Sequence, residues 1–355
     1  MTASAAAQWG RDTGSAKSSA SRPARRPVLT PPLPRPAHAA WQFAAVREAR
    51  LDRLGALVEE HADTAALWRL LEQGPPDGME LLPQGAPGST RPRGASVGGV
   101  TEDFRAPGVR VLITGGTSGL GAAMAKALHE AGAAVAITGR GPDRAEAVAR
   151  ELGPGCTGVA MDVRDEDDVE RGVDRVVHAL GGLDLLVNNA GLGMRTVNPR
   201  FLTDPQPFWA VPPDGFRDMV DTNLTGYFLV ARNVVPRFLA AGSGRVVNIS
   251  MNHSTMNRKG FVPYGPARAG AEALSRIMAA DLDGTGVTVN ILLPGGATAT
   301  GMIPDDFPPE HRGQLLDPAV MAAPIRWLAS PEGAGVHDQR IVATEFADWL
   351  AAREA

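Results

Sequence analysis

Two short stretches of the chain carry residue types whose spacing can do chemistry. The first is Thr114-Gly115-Gly116-Thr117-Ser118-Gly119-Leu120-Gly121, which follows the apolar run 109–114 and precedes a run of small residues with a helical pattern. Glycines at a strand-to-helix turn allow a tight bend and let backbone N–H groups approach a pyrophosphate at the helix N-terminus. A glycine turn of purely structural purpose has the same composition, so both readings stand at this point. The second is Tyr264, followed four residues later by Arg268. At a helix start that spacing puts phenol and guanidinium on one face. A free phenol, with a pKa of about 10, trades protons poorly near neutrality. A cation one helical turn away favours its deprotonated form and so suits it to acid–base work. The plainer alternative is a surface contact between the two side chains.

A third signal stands at the end of the second apolar run, in Thr138-Gly139-Arg140. A carboxylate at this place accepts hydrogen bonds from a ribose 2′-hydroxyl, whereas a guanidinium pairs with a 2′-phosphate. Arg140 without a neighbouring acid predicts NADP(H), with NAD(H) second.

The elements that must position these residues are legible from periodicity. Short apolar runs at 109–114, 133–138, 158–161, 183–188, 245–250, 287–293 and 340–342 read as strands. Helical patterns at 121–131, 142–152, 165–179, 214–241 and 264–282 separate most of them. Strands buried on both faces and alternating with helices predict an α/β domain with a Rossmann-like, doubly wound parallel sheet of about seven strands.

The glycines fall as G-x-x-x-G-x-G. With Asn188-Asn189-Ala190-Gly191 closing the fourth strand, and with Tyr264 and its cation, the chain resembles the short-chain dehydrogenase/reductase family over roughly residues 109–350. The resemblance implies an NAD(P)H-dependent oxidoreductase that interconverts a carbonyl and an alcohol by hydride transfer, with Tyr264 as acid/base. It implies that Gly115, Gly119 and Gly121, in the turn that also holds Thr114 and Leu120, line the pyrophosphate. Asp162 and Val163 would contact the adenine, and Asn189 and Gly191 would pack beside its ribose. Val289-Asn290 and Pro294-Gly295, with Thr298 or Thr300, would hold the nicotinamide carboxamide. Asn223 would hold a water in the proton path, or else satisfy a helix irregularity.

Two positions depart from the family. Its cation is a lysine and here it is Arg268, which is planar, forked and unable to release a proton. Its substrate-orienting serine lies about thirteen residues before the tyrosine, where this chain has Met251, a side chain without a useful donor. Ser250 is the first replacement, although neighbours on a strand point to opposite faces, and Asn252 and Ser254 are others. A second reading follows: a catalytically impaired protein of this fold that binds NADP(H) as a sensor or scaffold.

Bulk properties set the frame. The 355 residues are 44% hydrophobic and 21% charged, the balance of a soluble globular chain. A formal net charge of -4 argues against a nucleic-acid or membrane partner, and no apolar stretch is long enough to span a bilayer. Cys156 is alone, and His253 and His311 lack metal-ligand spacing, so no disulfide and no metal are expected. A cytoplasmic location is expected. Residues 1–37 read as a disordered tail, 38–73 as a helical extension, 74–107 as a linker and 108–355 as the catalytic domain. Segments 192–215 and 301–318, with Phe201, Phe208, Trp209, Met302 and Phe307, suit an apolar lid over a small-molecule carbonyl or alcohol, or else are ordinary surface loops. A homo-oligomer, dimer or tetramer, is expected.

Overall fold

Val111 and Ile113 pack into one core layer while Leu112, between them, packs into another, and all three are fully buried. A strand with apolar side chains on both faces needs helices on both sides, and each such side chain contributes roughly 1.5–3 kcal/mol by leaving water. The computed structural model describes residues 104–354; the expected tail 1–37, the helical extension 38–73 and the linker as far as residue 103 lie outside the described residues.

Seven parallel strands form one sheet: β1 (Arg110–Ile113), β2 (Ala134–Gly139), β3 (Cys156–Ala160), β4 (Leu185–Asn188), β5 (Gly244–Ile249), β6 (Val287–Leu293) and β7 (Arg340–Val342). Their order is β3-β2-β1-β4-β5-β6-β7. The α-helices, in chain order, are α1 (Gly119–Glu130), α2 (Pro142–Leu152), α3 (Glu166–Leu180), α4 (Pro213–Val220), α5 (Gly226–Ala241), α6 (His253–Met256), α7 (Tyr264–Leu282), α8 (Ala322–Ala329) and α9 (Phe346–Glu354). Buried residues of α1, α2, α8 and α9 share one core layer, and those of α3, α5 and α7 share the other. The strand order reverses between β1 and β4, and in open α/β sheets the crevice beyond the strand ends at that point is where ligands bind.

Local chemistry fixes the helix ends. Asp165 caps α3 by accepting from the Asp168 amide at 2.7 Å, and three acidic residues in the first turn complement the dipole. Gly181, left-handed with φ 69°, ends the helix. The packed domain begins before Gly108: the Ala106 amide donates to the Ala131 carbonyl at 2.9 Å, and the Phe104 ring meets Phe346 edge-on.

The helical pattern at 214–241 is a continuous helical run, Pro213–Ala241, with one irregular turn inside it. Between α4 and α5 the chain makes a π-helical turn, Asp221–Thr225, that carries the buried Asn223. Thr222 Oγ1 donates to the Asp218 carbonyl at 2.8 Å, and the Asn223 amide is drawn toward a loop 31 residues away. Such bulges re-aim a side chain at the cost of helix regularity.

Candidate active site

A cavity of about 670 Å³ runs along the C-terminal ends of β1 to β6. Of the residues expected in the site, Gly115, Gly119, Leu120, Gly121, Arg140, Asp162, Val163, Asn189, Gly191, Ser250, Tyr264, Arg268, Pro294, Gly295 and Thr298 line it. Thr114 and Asn223 stand behind its wall and hold lining segments in place. Val289 and Asn290 lie within β6, where Asn290 bonds the Val336 carbonyl and the Gln339 amide instead.

The glycine turn is built by close backbone packing. Thr114 Oγ1 accepts from the Asn189 and Ala190 amides at 3.0 Å each, and Asn189 Nδ2 donates to the Thr114 and Gly115 carbonyls at 3.0 Å each. A Cβ on Gly121 would lie 2.4 Å from the Gly115 oxygen and 2.5 Å from Asn189 Nδ2, so only glycine lets the helix start this close to the turn. Thr300 closes over the same turn, its Cγ2 3.2 Å from where a Gly119 Cβ would stand. Thr298, the other threonine of that segment, uses its hydroxyl on the Gly296 carbonyl at 3.2 Å.

Six charged residues line the cavity: Arg140, Arg144, Arg164, Arg258, Arg268 and Asp162. Arg164 donates to both Asp162 oxygens and holds that carboxyl below its usual range. Arg140 and Arg144 form no ion pair among the described residues, which leaves the β2–β3 end of the cavity positive and suited to an anion.

Tyr264 opens α7 and Arg268 stands one turn on, with its guanidinium carbon 5.4 Å from the Tyr264 ring centroid. Arg268 is buried, 3% exposed. Its Nη1 donates to the Tyr227 hydroxyl at 2.6 Å and to the Ile249 carbonyl at 2.9 Å. Tyr227 in turn donates to the same carbonyl at 3.1 Å. Burial pushes the Tyr227 phenol up, so it stays protonated near neutrality. Burial also opposes the Arg268 charge, and its contacts with the Tyr227 and Tyr264 phenols more than offset this. The guanidinium enters because Gly191 has no side chain: a Cβ there would lie 2.4 Å from Nη2. Arg268 Nε is buried without a partner within the protein, a state that costs roughly 1–3 kcal/mol if nothing else satisfies it.

Asn223 spends its amide chiefly on Leu192, with Nδ2 also 3.2 Å from Met219 Sδ. Its Oδ1 accepts from the Leu192 amide at 2.7 Å and its Nδ2 donates to the Leu192 carbonyl at 2.9 Å. Ser250 donates to Glu272 Oε1 at 2.5 Å, where Glu272 is also bound by Arg340 and His253. Met251 instead joins the buried cluster of Met194, Phe201, Met256 and Phe261, against which Tyr264 packs. Asn252 Nδ2 donates to the Gly295 carbonyl at 2.8 Å, and Ser254 is exposed and does not line the cavity.

Sequence reasoning passed over Tyr227, Arg144, Arg258 and Glu272. For Tyr227 a signal was present: the chain has two tyrosines, and both face Arg268. Glu272 lies four residues beyond Arg268 on the same face of α7, so helical spacing pointed to it as well.

Residues 109–310 match the family model described as short chain dehydrogenase, and the chain belongs to that family of oxidoreductases. It is 31% identical over 230 residues to the 3-oxoacyl-(acyl-carrier-protein) reductase of Vibrio harveyi, covering 63% of this chain and 90% of that one. It is 36% identical over 185 residues to the serine 3-dehydrogenase of Agrobacterium fabrum, covering 52% and 70%. Among solved structures, the 3-ketoacyl-(acyl-carrier-protein) reductase of Brucella melitensis complexed with NADH superposes with a TM-score of 0.60 at 28% identity, covering 66% of this chain and 96% of that one. Among the described residues no helix is long and apolar enough to cross a membrane, and no group of three His, Cys, Asp or Glu side chains is placed to hold a metal.

Proposed function

We propose that the chain is an NADP(H)-preferring oxidoreductase that interconverts a carbonyl and an alcohol, with Tyr264 as proton donor and acceptor. The observation that carries this reading is the shared cavity: the Tyr264 phenol, with a buried guanidinium beside it, lines the same space as the glycine turn. The cavity fits a dinucleotide in three respects. Gly115, Gly119 and Gly121 line it without side chains, Arg140 and Arg144 present unpaired positive charge, and Arg268 Nε lacks an acceptor.

Gly115, Gly119 and Gly121 would hold the pyrophosphate, Asp162 and Val163 the adenine, and Arg140 and Arg144 the 2′-phosphate. Pro294, Gly295 and Thr298 or Thr300 would hold the carboxamide. Bound NADPH supplies the hydride.

The chain's own residues handle the proton. Tyr264 gives its hydroxyl proton to the substrate oxygen in reduction and takes one back in oxidation. The Arg268 charge offsets the negative charge that develops on the phenol oxygen. Because Arg268 keeps its proton, it acts as a fixed charge, and the relay runs through Tyr264 alone. Asn223 fixes Leu192 at the cavity wall. Ser250 reaches a substrate oxygen as a donor only by giving up its bond to Glu272. Phe228 and Leu239 on α5 and Ile277 on α7 are exposed apolar side chains that support a homo-oligomer.

A second reading, NADP(H) binding with little turnover, is favoured by one arrangement: Ser250 is committed to Glu272 while Met251 faces the cavity without a donor. Fluorescence titration with NADPH and NADH, followed by a panel of carbonyl substrates, separates the two. NADPH binding with turnover supports the enzyme, and NADPH binding without turnover supports the second reading. Failure to bind either dinucleotide overturns both.

A further inference from the structure

The half of the cavity that lies beyond Tyr264 from the glycine turn has an apolar wall and one unpaired charge at its rim. Met194, Phe201, Met251 and Phe261 form the wall, with Met256 packed behind it, and Phe201 meets Phe261 edge to face at 5.5 Å. Arg258 lines this space with its guanidinium carbon 5.3 Å from the Phe261 ring centroid. It is exposed, and it forms no ion pair among the described residues.

Lys259, next to Arg258 in the chain, lies outside the cavity lining, and other nearby charges are paired. Arg195 bonds Asp305 at 3.0 Å, Arg200 bonds Asp204 at 2.9 Å, and Glu272 is held by Arg340 and His253. Arg140, Arg144 and Arg164 stand at the opposite, β2–β3 end of the cavity, and Arg268 is tied to Tyr227. Asp162, the one acidic lining residue, is paired with Arg164. A guanidinium presents a forked edge that matches a planar two-oxygen acceptor.

We infer that the substrate is an apolar carbonyl compound, or the matching alcohol, that carries a carboxylate at the end remote from the reacting carbon. Its reacting oxygen meets Tyr264, its hydrocarbon body lies along the methionine and phenylalanine wall, and its carboxylate pairs with Arg258. A neutral apolar substrate would make no use of that charge, and a purely polar one would give up its own water against the wall without hydrogen bonds in return. This inference rests on the proposed oxidoreductase reading for the placement of the reacting carbon. The position of the anion subsite rests on Arg258 itself.

Isothermal titration of hexanoate and of hexanamide into the full chain, with and without saturating NADPH, tests it. Hexanoate is expected to bind about tenfold more tightly than its neutral isostere, a preference that shrinks as sodium chloride is raised. Arg258→Met, which keeps an apolar stem on Phe261, is expected to abolish the preference, and Arg258→Lys to retain part of it. Equal binding of the two ligands, or a preference that survives in Arg258→Met, overturns the inference. Should the protein bind no dinucleotide, the oxidoreductase reading fails, while the same comparison on the free chain still decides whether Arg258 is an anion subsite.

Discussion

Arg268 Nη1 donates to the Tyr227 hydroxyl at 2.6 Å, and the ring of the chain's other tyrosine, Tyr264, lies 5.4 Å from the same guanidinium. The cation is therefore framed from three sides: by α5 through Tyr227, by the end of β5 through the Ile249 carbonyl, and by its own helix through Tyr264. A lysine ammonium is a compact point charge and lacks the planar guanidinium that lies beside both tyrosine rings. Arginine at this position belongs to an arrangement of its own, with Tyr227 as its second anchor.

Tyr227→Phe keeps the ring and removes the acceptor. A buried guanidinium loses one of its two hydrogen bonds, so we expect a loss of roughly 1–3 kcal/mol in urea unfolding. Turnover should fall while NADPH affinity stays within about threefold, because Tyr227 touches the cation and lies outside the cavity lining. Unchanged stability and turnover would show that the 2.6 Å contact contributes nothing.

Arg268→Lys should lower turnover rather than raise it, by about tenfold, since positioned acid–base catalysis is worth roughly 10²–10⁴-fold in all. A double-mutant cycle with Tyr227→Phe should show the two changes to be less than additive, with a coupling of about 1 kcal/mol or more in stability. Strict additivity, or a faster enzyme, would mean that the arginine is a damaged lysine position rather than part of a built pair.

Arg140→Ala should weaken NADPH by about 10- to 100-fold, the worth of a charge-assisted hydrogen bond, and leave NADH within about twofold. Equal losses for the two dinucleotides in fluorescence titrations would remove Arg140 from the 2′-phosphate site and pass that role to Arg144 or Arg164.

Much of this was open to reading from residues alone. Pro142–Leu152, Tyr264–Leu282, Val287–Leu293 and Arg340–Val342 have the expected bounds, because apolar spacing over those runs is unambiguous. What the chain concealed depends on partners far away in sequence. The π turn at Asn223 is the helix irregularity that one reading of that residue allowed, but its partner Leu192 lies 31 residues away in a loop. Tyr227 reads as one more buried helix residue until Arg268, 41 residues on, is brought against it. Ser250 and Met251 fall just past β5 and both line the cavity, so strand alternation does not separate them; the destination of the serine hydroxyl, Glu272 on α7, is a tertiary fact. Phe104 and Ala106, expected in the linker, pack into the core because β1 needs cover at its entry.

Acid should expose one ion pair at the base of the sheet. Asp184 accepts from the Arg110 amide, Nε and Nη2, and the Arg110 guanidinium holds its carboxyl below the usual carboxylate range. A lowered folded value means that the stabilisation is present above the unfolded value of about 4 and is lost as pH falls through the folded one. Both side chains are about one third exposed, at 34% and 38%, so solvent screening keeps the effect near 1 kcal/mol or below. Asp184→Asn should therefore be less stable than the parent at about pH 7, with the gap closing below about pH 4. A gap independent of pH in parallel urea titrations would contradict this.

The account turns on the phenol of Tyr264. Its most direct test is single-turnover NADPH oxidation on a carbonyl substrate by the parent chain and by Tyr264→Phe, with NADPH affinity measured in parallel. We predict an NADPH dissociation constant unchanged within about threefold and a hydride-transfer rate lower by at least about 10²-fold, the usual worth of a positioned proton donor. A variant that transfers hydride as fast as the parent would contradict the account.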